Sequence, residues 1–208
     1  SRRRSCSGRH CASDFPTHAL WKMAIMFIRL YRVSMAGLCL LFASGFVQAN
    51  DAMITWPEGW QIEAMPPEAD ATGKPAAQFR QRAVKNDQAG NPMMVMELTQ
   101  STLVAGHQVN VEGVLLEMRK AIQVMFARSG FQSVCTRARQ DTLSQIPALE
   151  TTCTITQNGV HVMTQTLVAA ATKDMAWSLS YAGSAEGYAA TKEEARRIRD
   201  SVRIDGSQ

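Results

Sequence analysis

A chain of 208 residues with 46% apolar and 19% charged side chains is long enough to bury a real core, and its 22 Lys and Arg against 18 Asp and Glu give a net charge of +4. Seven of the basic residues and one acidic residue precede Asn50, so the remainder holds 15 against 17, or about −2. The basic balance belongs to the leader, and that removes the case for a nucleic-acid-binding protein.

Residues 1–22 are rich in Arg and Ser and have no apolar periodicity, which predicts a disordered upstream segment outside the native product. Cys6, His10 and Cys11 lack the fourth ligand and the spacing of a metal clip. Translation is expected to start at Met23, Met26 or Met35. Within 23–49, Arg29 and Arg32 are followed by an apolar run over 33–47 and by Val47-Gln48-Ala49, the three parts of a secretory signal cut between Ala49 and Asn50. The uncharged run is nearer 15 residues than the roughly 20 that span a bilayer, so no stable membrane span is expected after cleavage. Cys39 follows Leu38 where a lipoprotein needs a small residue. The product is therefore expected to be one domain over 50–208, periplasmic or secreted, in an oxidising compartment.

That domain opens with a short strand over 54–56 and a Pro/Gly turn, Trp56-Pro57-Glu58-Gly59-Trp60, whose two indoles suit the plug of a core better than a stacking platform. A loop over 65–75 precedes a hairpin of strands 78–85 and 93–102, turning through Asp87, Gly90, Asn91 and Pro92. Arg80 and Arg82 share a strand face, as a solvated surface or as an anion site. The run Met93-Met94-Val95-Met96 raises Cu(I), which thioethers select, although Met also fills core gaps and alternation sends Met93 away from its neighbours. Over 111–128 the period changes to three and four. Val111, Val114, Leu115, Met118, Ile122, Met125 and Phe126 line one side, with Asn110 as N-cap and Gly130 at C′, and this predicts a helix laid on a sheet.

Four strands are expected over 131–142, 149–156, 160–170 and 175–181. The firmest is the last, in which Met175, Trp177, Leu179 and Tyr181 alternate with Ala176, Ser178 and Ser180. Asn158-Gly159 supplies a two-residue hairpin turn, which places Ile155 opposite Val162 and Cys153 opposite Thr164. A bend centred on Ser144 sets Cys135 across from Cys153, within disulfide reach. Such a bridge would stabilise the fold by about 3 kcal/mol in the chain-entropy model. Arg137 and Arg139 share the parity of Cys135, so they either lie beyond a covering helix or are turned outward by a bulge. Whether they join Arg80 and Arg82 in an anion site is left open. A second helix over 185–202 turns Tyr188, Ala195, Ile198 and Val202 inward.

This order predicts an α+β domain, an antiparallel sheet of six to seven strands with two packed helices. The Pro57-Glu58-Gly59-Trp60 opening, the central amphipathic helix, the meander ending in Trp177-Ser178-Leu179-Ser180-Tyr181 and a closing helix with Ile198 and Ser201 resemble the PsbP and DcrB type of α/β/α sandwich. More closely, they resemble small secreted proteobacterial proteins of unknown function. The resemblance implies a binding or assembly module and carries over no ligand residue. The expected function is a non-catalytic envelope module that binds another protein or assists its assembly, with no cofactor and no metal. The alternative is a pocket between sheet and long helix, lined by Met94, Met118 or Trp177, for a small hydrophobic or aromatic ligand. The third is a hydrolase around His107 or His161, which needs a Ser or carboxylate within about 3 Å of the ring.

Overall fold

Strands form in this chain where bulky residues alternate, and helices form where apolar residues recur at three and four positions. The computed structural model describes residues 52–65, 78–103, 106 and 108–204. The leader, the cleavage pair Ala49 and Asn50, most of the expected loop and His107 therefore lie outside the described residues. The elements run β1 Ala52–Met53, β2 Trp60–Met65, β3 Gln78–Asn86, β4 Pro92–Thr102, α1 Val111–Arg128, β5 Gln132–Cys135, β6 Arg139–Leu143, β7 Ile146–Gln157, β8 Val160–Ala171, β9 Met175–Ser184, α2 Ala185–Asp200 and β10 Arg203–Ile204.

Eight of the strands form one antiparallel sheet in the order β2-β3-β4-β9-β8-β7-β5, with β6 paired to β7 beside β5. The two-residue strands β1 and β10 pair separately. Helix α1 packs over β5, β7 and β8, and α2 packs over β4, β9 and β8. The two helices cover opposite faces. Leu167 and Val168 are consecutive in β8 and both fully buried, yet only Val168 joins the core cluster with Met94, Met96, Leu98, Leu179, Tyr181 and α2's Ala195 and Ile198. Leu167 points the other way, to the side where α1 buries Leu115. This is the α/β/α sandwich that the sequence leads one to expect.

Both helices carry their own start signals. Asn110 Oδ1 accepts from the Glu112 and Gly113 backbone N–H groups, and Ser184 Oγ accepts from Gly187 N at 3.0 Å. The first turn of α2 lies so close to β4 that a Cβ on Gly187 would stand 2.4 Å from the Met93 carbonyl oxygen, and one on Gly183 only 2.2 Å from it.

Three expectations change. Ile54 to Trp56 form no strand; the strand lies after the turn, at β2, whose exposed Gln61, Ile62 and Glu63 gave no clear alternation. The expected strand over 131–142 is two strands, because Cys135 pairs with Cys153 while Arg139 pairs with Glu150. Four steps along one strand then match three along the other, so one extra residue bulges out. Thr136 sews that bulge to β7: its N–H donates to Thr152 O at 2.8 Å, and its carbonyl accepts from Thr151 Oγ1 at 2.7 Å. The bulge also settles the parity conflict at Arg139, which moves to the face opposite Cys135. Finally, Asn158-Gly159 turns as expected, with φ of 50° and 80°, but an irregularity between Ile155 and Thr156 shifts the register by one. Ile155 faces Met163 and Cys153 faces Gln165, not Val162 and Thr164.

Candidate functional site

The two cysteines meet as expected. Cys135 and Cys153 form a disulfide with their Cα atoms 3.9 Å apart, across the register of β5 and β7. Cys153 is fully buried on the α1 side of the sheet, so the bridge ties the edge strand β5 to the strand beneath α1.

The other expected sites do not assemble. Arg80 and Arg82 share Glu97, at 2.6 and 3.9 Å, which balances much of their charge. Arg139 stands across four intervening strands, on the opposite face, and pairs with Glu150. Arg137 is exposed in the short stretch between β5 and β6, at that same far edge, so the four arginines do not converge on an anion. Met94 and Met96 are spent in the core under α2, and Val95 and Met93 point away from them, so the methionines do not converge on copper. Among the described residues no group of three or more His, Cys, Asp and Glu is placed to hold a metal ion. Met94 and Trp177 are buried on the α2 side, whereas Met118 belongs to α1, so one cavity cannot be lined by all three. Trp177 Nε1 donates to Gln100 Oε1 at 3.0 Å inside that core. His161 is exposed and spends Nε2 on Met163 O and Thr164 Oγ1, at 3.1 and 2.8 Å, with neither a Ser nor a carboxylate as its partner. The tryptophan pair does plug the core end. The two ring centroids lie 5.7 Å apart, with Trp60 Nε1 donating to Glu194 on α2.

The first feature that no single motif announced is the outer surface of α1. Gln123 Nε2 donates to Ser133 O of β5 at 3.3 Å, and Phe126 meets Phe131 edge-on, which sets the helix's rotation. Leu115 is then the one fully buried α1 residue, with Val111, Met118, Ile122 and Phe126 half-buried around it. Val114 and Met125, expected inward, stand on a flank and are exposed. With Leu116 and Val124 they leave four large apolar side chains 36% to 55% exposed on one helix.

The second feature is the corner made by β6, β7 and the end of α2. Arg199 of α2 is mostly buried and donates from Nη1 to Glu150 Oε2 at 2.5 Å and to Asp141 Oδ2 at 2.9 Å, while Arg139 Nη2 donates to Glu150 Oε1. Burial works against the Arg199 charge, but Asp141, Tyr181, Asp200 and Glu150 outweigh it and hold its pKa above the usual range. Alongside lies a ladder of hydroxyls: Thr152 meets Thr166 at 3.0 Å, Thr166 meets Tyr188 at 2.5 Å, and Tyr188 stacks on Tyr181. Burial, then the neighbouring Tyr188, pushes Tyr181 up to about 12. Two hollows of about 340 Å³ flank the β6–β7 hairpin. One is mainly apolar and lined by Val111, Pro147, Ala148 and Leu149 with Gln140, Asp141 and Thr142 of β6. The other is polar and lies by Arg199 and Arg203. Sequence reasoning missed this corner because its members are far apart in the chain and carry no spacing motif.

Among the described residues no helix is long and apolar enough to cross a membrane. A comparison with curated proteins finds no match. Among solved structures, the chain is similar to cyanobacterial PsbP (CyanoP) from Synechocystis sp. PCC 6803, with a TM-score of 0.51 and 9% identity over 79% of this chain and 98% of that one. It is also similar to LpqN, involved in cell envelope biogenesis of Mycobacterium tuberculosis, with a TM-score of 0.46 and 15% identity over 74% and 82%. At such identities the PsbP likeness shows the fold alone. Residues 51–204 match a domain of unknown function, DUF4946, and the chain belongs to that family.

Proposed function

We propose that the domain is a non-catalytic module of the extracytoplasmic envelope that holds another protein on the outer surface of α1. The observation that carries this reading is the exposure of four large apolar side chains on α1, with Val114 and Met125 on one flank of the packed side, Leu116 on the other and Val124 facing outward. Large apolar side chains left exposed along a helix are what a partner's own apolar residues desolvate on binding. The extracytoplasmic setting rests on the signal-like 23–49 segment and is supported by the disulfide, which persists where thiols are oxidised. A pocket for a small apolar ligand is the weaker reading, since its three expected lining residues lie on both sides of the sheet.

Photo-crosslinking in intact cells tests the proposal. A photoreactive phenylalanine analogue at Val114 or Met125 is expected to give an adduct with one common partner, and the same group at the exposed Lys192 of α2 is not. Adducts absent from α1, or identical from both helices, would reject it.

A further inference from the structure

Among the described residues the sheet ends beyond β7 on β6, which pairs on one side only. Ser144 and Gln145, with φ of 50° and 68°, make a two-residue turn, so Leu143 and Ile146 form a hydrogen-bonded pair. Alternation then makes Asp141 with Ala148 and Arg139 with Glu150 hydrogen-bonded pairs too. Gln140 and Thr142 fall at the positions whose backbone groups face outward. Two observations agree: Pro147, which has no N–H, sits opposite Thr142, and the Thr142 N–H is taken by Asp141 Oδ1 at 2.8 Å. By the same alternation the Gln140 N–H and C=O and the Thr142 C=O are directed away from β7.

We infer that the β6 edge is a docking strand for an extended segment of another protein, added antiparallel with its central residue opposite Gln140. That residue would exchange two backbone hydrogen bonds with Gln140. Its side chain, and that of the residue opposite Thr142, would lie on the side of the apolar hollow formed by Val111, Pro147 and Leu149. The intervening positions face Asp141 and Arg139 on the other side of the sheet. Arg139 is 64% exposed and its guanidinium has donors beyond the one given to Glu150, while the Asp141 carboxylate keeps lone pairs beyond those used by Arg199 and Thr142. In an antiparallel partner the residue before the centre faces Asp141 and the one after it faces Arg139. The segment is therefore apolar, basic, apolar, acidic in chain order, with cross-strand charges opposed at the closely spaced pairs. Four residues bury far less than the roughly 1,000 Å² of a stable dimer, which favours a peptide segment over a second copy. The inference deepens the protein-binding reading but uses a different surface from α1.

The test uses the chain purified from an oxidising compartment and a fluorescent hexapeptide, Ser-Leu-Lys-Leu-Glu-Ser, capped at both ends. Saturable binding by anisotropy is expected below roughly 1 mM. N-methylation of the second Leu, which removes one hydrogen bond and leaves the protein untouched, is expected to weaken it about tenfold. Exchanging Lys and Glu is expected to weaken it about fivefold. No saturation, or equal binding of the N-methyl peptide, would overturn the inference, the latter by making the hollow a small-ligand site. A dimer in sedimentation that the peptide does not dissociate would overturn it in favour of a second copy. Peptide failure with the α1 adduct intact removes only the edge proposal; the reverse removes only the α1 surface.

Discussion

Glu150 is 3% exposed and holds two guanidinium groups, one from α2 and one from β6, so its charge is compensated only while all three side chains stay in place. Glu150→Ala leaves Arg199 buried with Asp141 and Asp200 as its remaining partners. A loss of about 2–3 kcal/mol is expected in urea unfolding at neutral pH, below the full cost of orphaning a buried charge. Nothing in Leu149-Glu150-Thr151 marks that Glu as interior, because its burial follows from a partner 49 residues away. Tyr181 gives a pH signature instead. Its pKa stands raised from 10.0 to about 12, chiefly by burial. Below pH 10 the phenol is protonated folded and unfolded alike, and the stability it confers is fully present. As pH rises from about 10 to 12 the unfolded chain releases the proton first, and about 3 kcal/mol of stability is lost. Tyr181→Phe is expected to flatten that alkaline fall in denaturation measured across this window, leaving the smaller share of Tyr188, which burial raises in the same direction.

The disulfide acts on a whole element. Strand β5 has four residues, lies at the sheet edge and still supplies the carbonyl that orients α1 through Gln123. Replacing Cys135 and Cys153 by Ala is expected to cost about 3 kcal/mol for a loop of this size. Amide exchange should then rise in β5 before it rises in β8 or β9; uniform exchange would argue against a local clamp. At α2, Gly187→Ala is expected to cost about 1–3 kcal/mol by calorimetry, since a methyl group there meets the Met93 backbone and cannot be accommodated by a side-chain rotation. Elements with strong periodicity and caps were legible in advance: Asn110 and the 3.6 repeat place α1 at 111–128, and the alternation around Trp177 places β9. The bulge near Thr136 was offered as one of two readings by the parity of Arg139, but the irregularity beside Ile155 was not legible, because an extra residue changes no composition and is decided by pairing with a distant strand. The rotation of α1 was hidden for a related reason. Its apolar residues span more than half the helix circumference, and only tertiary packing on β5, β7 and β8 selects which of them face inward.

For the whole molecule, the segment features predict a product that starts at Asn50, and the bridge predicts an intact mass two hydrogens lower before reduction than after it. Mass spectrometry of the protein isolated without thiols checks both, and a start elsewhere would count against the 23–49 signal. The sandwich itself was foreseeable from element order, but the seating of β9 between β4 and β8 was not. That seating has a kinetic side. The sheet's two halves, β2-β3-β4 and β8-β7-β5, share no hydrogen-bonded seam until β9 arrives. A chain made amino end first thus keeps these halves unjoined until β9 has emerged, and β9 closes the sheet by pairing on both sides at once.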